Sequence, residues 1–232
     1  ERNEVTLREH YDFLGEDYLV YRSAYEEYMT RASVYDIQKQ EVVAELETQG
    51  AGTIVCSEDG KWIVVRDYSS NYIIFDGNTF EKKGQIDKVP GTLLGYTMKV
   101  SEDGILSFAT YEFTQNNTTE YKMYFVDIDA NQIVSFYAVE DMNIVDVKCY
   151  NEIAYIAATK WAPNASDYSD AYLTAVDIRT GKELWKKEHK GFAAKGIDFP
   201  TNEGATDLLF VTETTATLYN LESGVCTVTL PI

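Results

Sequence analysis

Short apolar runs separated by tight polar turns dominate this 232-residue chain. Runs of this kind, rich in Val, Ile, Tyr and Phe and bounded by Gly, Asn, Asp or Ser, predict β-strands rather than helices. One phrase occurs five times: an apolar run ends in Asp or Asn, a polar turn follows, and a second strand-like run begins. The copies are centred on Asp36, Asp76, Asp127, Asp177 and Asn220, as in Ile74-Phe75-Asp76-Gly77-Asn78-Thr79 and Ala175-Val176-Asp177-Ile178-Arg179-Thr180-Gly181. These anchors are 40, 51, 50 and 43 residues apart.

Strand-built repeats of that length are the sequence signature of β-propeller blades. The expectation is an all-β propeller of about five four-stranded antiparallel blades, over residues 1–48, 49–88, 89–140, 141–190 and 191–232. Propellers have about 4–8 blades, so five are few. The chain opens on Glu-Arg-Asn-Glu, with neither an initiator Met nor a signal h-region,. It is therefore read as part of a larger propeller in preference to a small complete ring.

Each repeat resolves into strands A to D. The second runs Thr53–Cys56, Lys61–Arg66, Tyr72–Phe75 and Phe80–Ile86. The third runs Met98–Val100, Ile105–Phe113, Lys122–Val126 and Gln132–Val139. The fourth runs Ile144–Tyr150, Glu152–Thr159, Ala171–Val176 and Glu183–Lys187, and the fifth Ala193–Phe199, Asp207–Thr212, Thr215–Tyr219 and Val225–Leu230. In the first, strand A is expected near Val5–Tyr11, then Tyr18–Arg22, Ala32–Tyr35 and Glu41–Leu46. Tyr21–Arg31 and Glu41–Glu47 contain good helix formers, but the repeat register makes them strands, with a loop around Ala24–Glu27.

The turn residues have local tasks. An Asp or Asn at each C–D turn can accept hydrogen bonds from backbone N–H groups one or two residues on, with a following Gly or Asn in the left-handed region. The turns Ser57-Glu58-Asp59-Gly60 and Ser101-Glu102-Asp103-Gly104 each place Gly where a positive φ is needed.

Val176-Asp177-Ile178-Arg179-Thr180-Gly181-Lys182-Glu183-Leu184-Trp185 resembles the core of a quinoprotein-type (PQQ-like) propeller repeat. Ser57 to Trp62 and Ser101 to Ser107 resemble the A–B turn of WD-repeat-like propellers. The resemblance implies the propeller superfamily. A Trp docking residue occurs once, at Trp185, no repeat ends in Trp-Asp, and no quinone or other cofactor is expected.

Composition narrows the partners. A net charge of −18, from 38 acidic and 20 basic side chains, disfavours nucleic acid and anionic lipid, which need Lys and Arg to displace counterions. No apolar run reaches the roughly 20 residues of a membrane helix, so direct membrane insertion by this segment is not expected. Cys56, Cys149 and Cys226 sit in or beside apolar runs and read as small buried hydrophobes. Asn116, Asn117 and Asn164 stand in Asn-x-Ser/Thr sequons, read as carrying no modification.

Searching for chemistry yields little. His10 and His189, the only histidines, have no nucleophile or ligand set beside them and are read as surface residues. Asp127-x-Asp129-x-Asn131 resembles the start of a calcium loop but has Gln132 and Ala138 where that loop needs Gly and Glu, so it reads as a C–D turn and no metal is expected. The loop with Asp167 and Asp170 is likewise read as no cation site. Lys182, Lys186, Lys187, Lys190 and Lys195, interspersed with Glu183 and Glu188, read as a solvated outer edge. No acid stands out as a hydrolase carboxylate. The chain is read as non-enzymatic: a binding or scaffold module presenting loop faces to a protein partner. Contact candidates are Tyr68, Ser69, Asn71, Asn116, Asn117, Trp161, Tyr168 and Tyr172, since loop aromatics are frequent interface anchors. The alternative is an extracytoplasmic sensor or small-molecule-binding domain of a membrane-anchored bacterial protein, and the localisation leans weakly that way. A propeller hydrolase is the third reading.

Overall fold

The computed structural model describes residues 11–26, 29–114, 119–140, 142–160, 169–200 and 204–232. These form five four-stranded sheets, each with strands in chain order. Blade 1 is β1 Tyr11–Leu14, β2 Tyr18–Glu26, β3 Met29–Asp36 and β4 Glu41–Leu46. Blade 2 is β5 Ala51–Cys56, β6 Trp62–Asp67, β7 Tyr72–Asp76 and β8 Lys82–Ile86. Blade 3 is β9 Thr92–Val100, β10 Ile105–Phe113, β11 Thr119–Asp127 and β12 Gln132–Glu140. Blade 4 is β13 Asn143–Tyr150, β14 Ile153–Lys160, β15 Asp170–Asp177 and β16 Glu183–His189. Blade 5 is β17 Ala194–Asp198, β18 Asp207–Thr212, β19 Thr215–Asn220 and β20 Cys226–Pro231.

The helix-like segments of blade 1 are strands, as the register required. Two details differ from expectation. Strand A extends to Leu14, and the span expected for it from Val5 lies almost entirely outside the described residues. The expected loop around Ala24–Glu27 is largely strand: β2 runs to Glu26 and pairs Ala24 with Thr30 and Glu26 with Met29 across a register shift. Local helix formers yield here to sheet pairing, the usual tertiary override of propensity.

The chain divides into two compact units. The first (Glu1–Pro90, Met98–Leu106, Val126–Ile133) holds blades 1 and 2 with the A–B and C–D turns of blade 3. Its core is one apolar cluster formed by Leu14, Val20, Val34 and Leu46 of blade 1 with Ile54, Ile63, Val65, Ile73 and Phe75 of blade 2. The second (Gly91–Thr97, Ser107–Phe125, Val134–Ile232) holds the rest of blade 3 and blades 4 and 5. There Tyr155, Leu173 and Ala175 of blade 4 pack on Ile197, Leu208, Phe210 and Leu221 of blade 5. Alternation along each strand sends successive side chains to opposite neighbours.

The C–D turns share one geometry. Asp36, Asp127, Asp177 and Asn220 each accept, through a side-chain oxygen, the N–H three residues on, and Asp76 accepts from both Asn78 and Thr79. The bonded N–H is thus mostly one residue further than expected. The residue four beyond each anchor is left-handed in all five copies: Gln40 (φ 59°), Phe80 (61°), Asn131 (51°), Gly181 (68°) and Gly224 (62°). Only two of these are Gly. The residue one beyond the anchor donates its N–H to the A–B connection of the same blade in every copy: Ile37 to Asp17, Gly77 to Lys61, Ile128 to Gly104, Ile178 to Glu152 and Leu221 to Thr206, at 2.7–3.0 Å. The A–B turns are built as expected, with Gly60 at φ 74° and Gly104 at φ 72°, and Ser57 and Ser101 hydroxyls accepting from Trp62 and Ile105 N–H.

Polar side chains also tie neighbouring blades through backbone groups. Asp12 of β1 accepts the Cys56 N–H of β5 at 2.8 Å. Asp146 of β13 accepts the Ile197 N–H of β17 at 3.2 Å. Burial pushes the Asp12 carboxyl up, only partly offset by the Cys56 and Phe13 N–H groups.

Candidate partner-binding face

The B–C loops and the D–A linkers lie at the same end of the strands in each sheet, since the four strands alternate in direction. Two groups of residues at this end are candidates, one in each unit.

In the first unit the β6–β7 turn carries Tyr68, Ser69 and Asn71. Asp67 builds this turn: its carboxylate accepts the Asn71 N–H at 2.8 Å and Asn71 Nδ2 at 3.0 Å. Asn71 is thereby committed to the turn, whereas Tyr68 is exposed and shares a hydrogen bond with Thr30 Oγ1 at 2.8 Å. Thr30 also donates to the Ala51 carbonyl at 2.9 Å. The Tyr68 ring covers Gly50, where a Cβ would lie 2.5 Å from the ring. Ser69 reaches Gln49 at 3.4 Å. Tyr68 and Ser69 thus form a preorganised, exposed corner.

In the second unit Tyr172 lies in a cleft of about 380 Å³ at the seam of blades 3 and 4, lined by Tyr137, Ala138, Met142, Lys160, Tyr172 and Lys186. The Lys186 ammonium sits 4.8 Å from the centroid of the Tyr172 ring, a cation–π contact. β15 pairing sets Thr174 opposite Lys186 and Tyr172 opposite Glu188. The Tyr172 hydroxyl donates to Glu188 at 2.8 Å, and the Tyr137 hydroxyl donates to Glu183 at 2.6 Å. Burial and then Glu188 push the Tyr172 phenol up to about 12. Burial and then Glu183 raise Tyr137 as well. Both phenols therefore remain protonated donors at neutral pH.

Asn116, Asn117, Trp161 and Tyr168 lie outside the described residues, as do His10, Asn164 and Asp167. Asp170 accepts the Gly191 N–H at 2.9 Å. Asp127 is held in its C–D turn by the Ala130 N–H.

Two expectations need correction. His189 is not a surface residue: it is half-buried between blades 4 and 5, edge-on to Phe210 and hydrogen-bonded to Tyr219. Burial lowers its pKa. Cys226 is exposed on β20 and Cys149 only partly buried, so only Cys56 is the buried hydrophobe expected; burial raises its thiol well above the ordinary value. The lysine cluster is exposed as expected apart from the half-buried Lys187, and Lys186 also lies over the Tyr172 ring. The cleft itself was not legible, because Tyr137 and Lys160 belong to different repeats.

No family model and no curated protein matches the chain. Solved structures do. The computationally designed protein Ika8 superposes with a TM-score of 0.66 at 12% identity, over 95% of this chain and 60% of that one. BamB from Moraxella catarrhalis superposes with a TM-score of 0.57 at 13% identity, over 94% of this chain and 63% of that one. BamB has a PQQ-like β-propeller fold. With five four-stranded antiparallel sheets of one topology, the chain is a β-propeller of about five blades. It spans less than two thirds of the length of either structure.

Proposed function

We propose that this propeller is a non-catalytic binding module whose B–C end of the strands receives a protein partner. The observation that supports this reading is the cleft at the seam of blades 3 and 4, where Lys160 and Lys186 stand beside Tyr172, Tyr137 and Met142 in a chain of net charge −18. An extended partner segment would set a carboxylate against the two ammonium groups and an apolar side chain against Met142 and the phenol rings. Cation, aromatic and thioether surfaces held on rigid strands are the usual material of interface anchors.

Selection of a random peptide library on the folded protein tests the reading. Selected peptides should bind the parent and lose at least about tenfold, or about 1.4 kcal/mol, on Tyr172→Ala and on Lys186→Glu. Peptides that bind both variants as well as the parent would move the site elsewhere.

A further inference from the structure

The cleft between blades 3 and 4 continues into a row of aromatic rings on blade 3. Met142 lines the cleft, and two residues on the Ile144 carbonyl accepts the Tyr96 hydroxyl at 2.8 Å. Burial and then the nearby Tyr121 raise the Tyr96 phenol. The Tyr121 ring lies 6.2 Å from Tyr111 by centroid, and Phe113 stands edge to face with Tyr111 at 5.7 Å. Tyr96 is 54% and Phe113 78% exposed. The row and the cleft belong to one compact unit. The row ends at the B–C connection, because Phe113 closes β10 and β11 opens at Thr119. A contiguous exposed aromatic surface of this kind marks a binding site, unlike apolar residues scattered singly.

What the rings leave unused narrows the ligand. A phenol carries one hydrogen to donate. Tyr96 gives its hydrogen to Ile144, Tyr137 to Glu183 and Tyr172 to Glu188. The surface therefore offers ring faces and edges more than hydrogen-bond donors. A sugar would bring hydroxyls that need partners here. A proline-rich segment brings flat apolar rings and no N–H at each proline. Its polyproline II helix is preformed, and aromatic-lined grooves receive such helices at low ordering cost. Charge selects further. Lys160 and Lys186 form no ion pair among the described residues, Glu188 being paired with Lys190 at 3.9 Å. The acids beside the row, Glu112 and Glu120, share Lys122 at 3.8 and 3.3 Å.

We propose that the segment received at the seam of blades 3 and 4 is proline-rich and acidic, with its prolines along Tyr96, Tyr111, Phe113 and Tyr121 and a carboxylate at Lys160 and Lys186. This rests on the reading of the cleft as a partner site and adds the chemistry of the partner. A polyproline II helix has three residues per turn and rises about 3.1 Å per residue, so prolines three apart recur on one face about every 9 Å. That face rides on the rings while an acid from another position reaches the lysines.

Two displayed peptide libraries test this on the folded protein. Every member carries one fixed glutamate among random positions, with prolines three apart in one library and alanines in their place in the other. The proline library should yield at least about tenfold more binders. The best proline peptide, followed by fluorescence anisotropy, should lose at least about fivefold in affinity on Phe113→Ala, on Tyr96→Ser and on Lys186→Glu. Tyr96→Phe should bind as the parent does, because the ring and not the hydroxyl is read. Phe113 and Tyr96 are exposed, so these variants should keep the far-UV spectrum of the parent. Equal yields from the two libraries, with loss on Lys186→Glu but none on Phe113→Ala, overturn the proline assignment and leave the partner site standing. Binders indifferent to Lys186→Glu and Phe113→Ala alike overturn both. Maltohexaose that binds the parent and not Phe113→Ala, where no proline peptide binds, gives the rings to carbohydrate and overturns the proposal.

Discussion

The indole of Trp185 lies across Gly224: a Cβ at 224 would fall 2.6 Å from Trp185 Cδ2, while Trp185 Nε1 donates to the Leu221 carbonyl at 3.2 Å. Gly224 is also left-handed, at φ 62°. Gly224→Ala should lower stability by about 2–4 kcal/mol, combining overpacking with left-handed strain. Made in a Trp185→Ala background, the same change should cost only about 1 kcal/mol, the backbone part. Urea unfolding of the four proteins measures this coupling, and additive effects would show that ring and glycine do not meet.

Gly77 and Gln40 make an opposed pair. A Cβ at Gly77 would lie 1.9 Å from the Gly60 carbonyl oxygen, and that backbone is pinned by the Gly77 N–H to the Lys61 carbonyl at 2.7 Å. Gly77→Ala should cost about 3 kcal/mol or more. Gln40 is exposed and left-handed at φ 59° without being glycine. Gln40→Gly relieves about 1 kcal/mol of strain and adds about as much unfolded-state entropy. Its unfolding midpoint should stay the same or rise.

At Asp177 the anchor needs an acceptor rather than a charge. Asp177 Oδ1 accepts both the Thr180 N–H and the Thr180 hydroxyl at 2.8 Å, and Asn220 does the same for Ser223 at 3.0 and 2.8 Å. Asp177→Asn should fall within about 0.5 kcal/mol of the parent, and Asp177→Ala should lose about 1–2 kcal/mol. Equal losses in thermal unfolding would contradict this.

Acid should act in two stages. His189 has a folded pKa below 6.5, held down by burial against Phe210 and Tyr219. The unfolded chain therefore binds its proton more readily. The contribution is complete above pH 6.5 and is lost as pH falls through the folded value. Asp36, Asp59 and Asp76, with pKa lowered below 3.8 by side-chain or backbone hydrogen bonds, lose theirs only below about pH 4,. His189→Phe should flatten the stability profile between pH 7 and 5 and leave the steeper loss below pH 4 unchanged. A profile unaltered by His189→Phe would place the first stage elsewhere.

Much of the architecture was legible because each blade repeats a local problem. β10 and β18 run over the residues read from sequence, Ile105–Phe113 and Asp207–Thr212. Turn chemistry acts within five residues, so Asp76 and Gly104 announce themselves. Blade 1 was read less well, since its A–B turn is Gly15-Glu16-Asp17 without the Ser-x-Asp-Gly form, and strand pairing prolonged β2 past Ala24.

The candidate sites were legible only in part. Tyr172 was singled out as a loop aromatic, but nothing in the chain ties it to Tyr137 or Lys160, which reach it from a neighbouring sheet or strand. His189 looked like a surface residue because the aromatic partners Phe210 and Tyr219 come from the next repeat. Asn71 looked available, yet Asp67 draws it into the turn.

The sequence by itself determined the repeat, the strand order within a blade and the chemistry of each turn, because those follow from alternation and from hydrogen bonds between residues a few positions apart. Only the tertiary structure decided which faces meet. Positions four and eight beyond an anchor meet across the seam with interchangeable partners: Gly84 against the Asn131 side chain in one blade pair, Trp185 against Gly224 in another. Close packing constrains the sum of two such residues rather than the identity of either, so the seam leaves no fixed motif for a sequence to display.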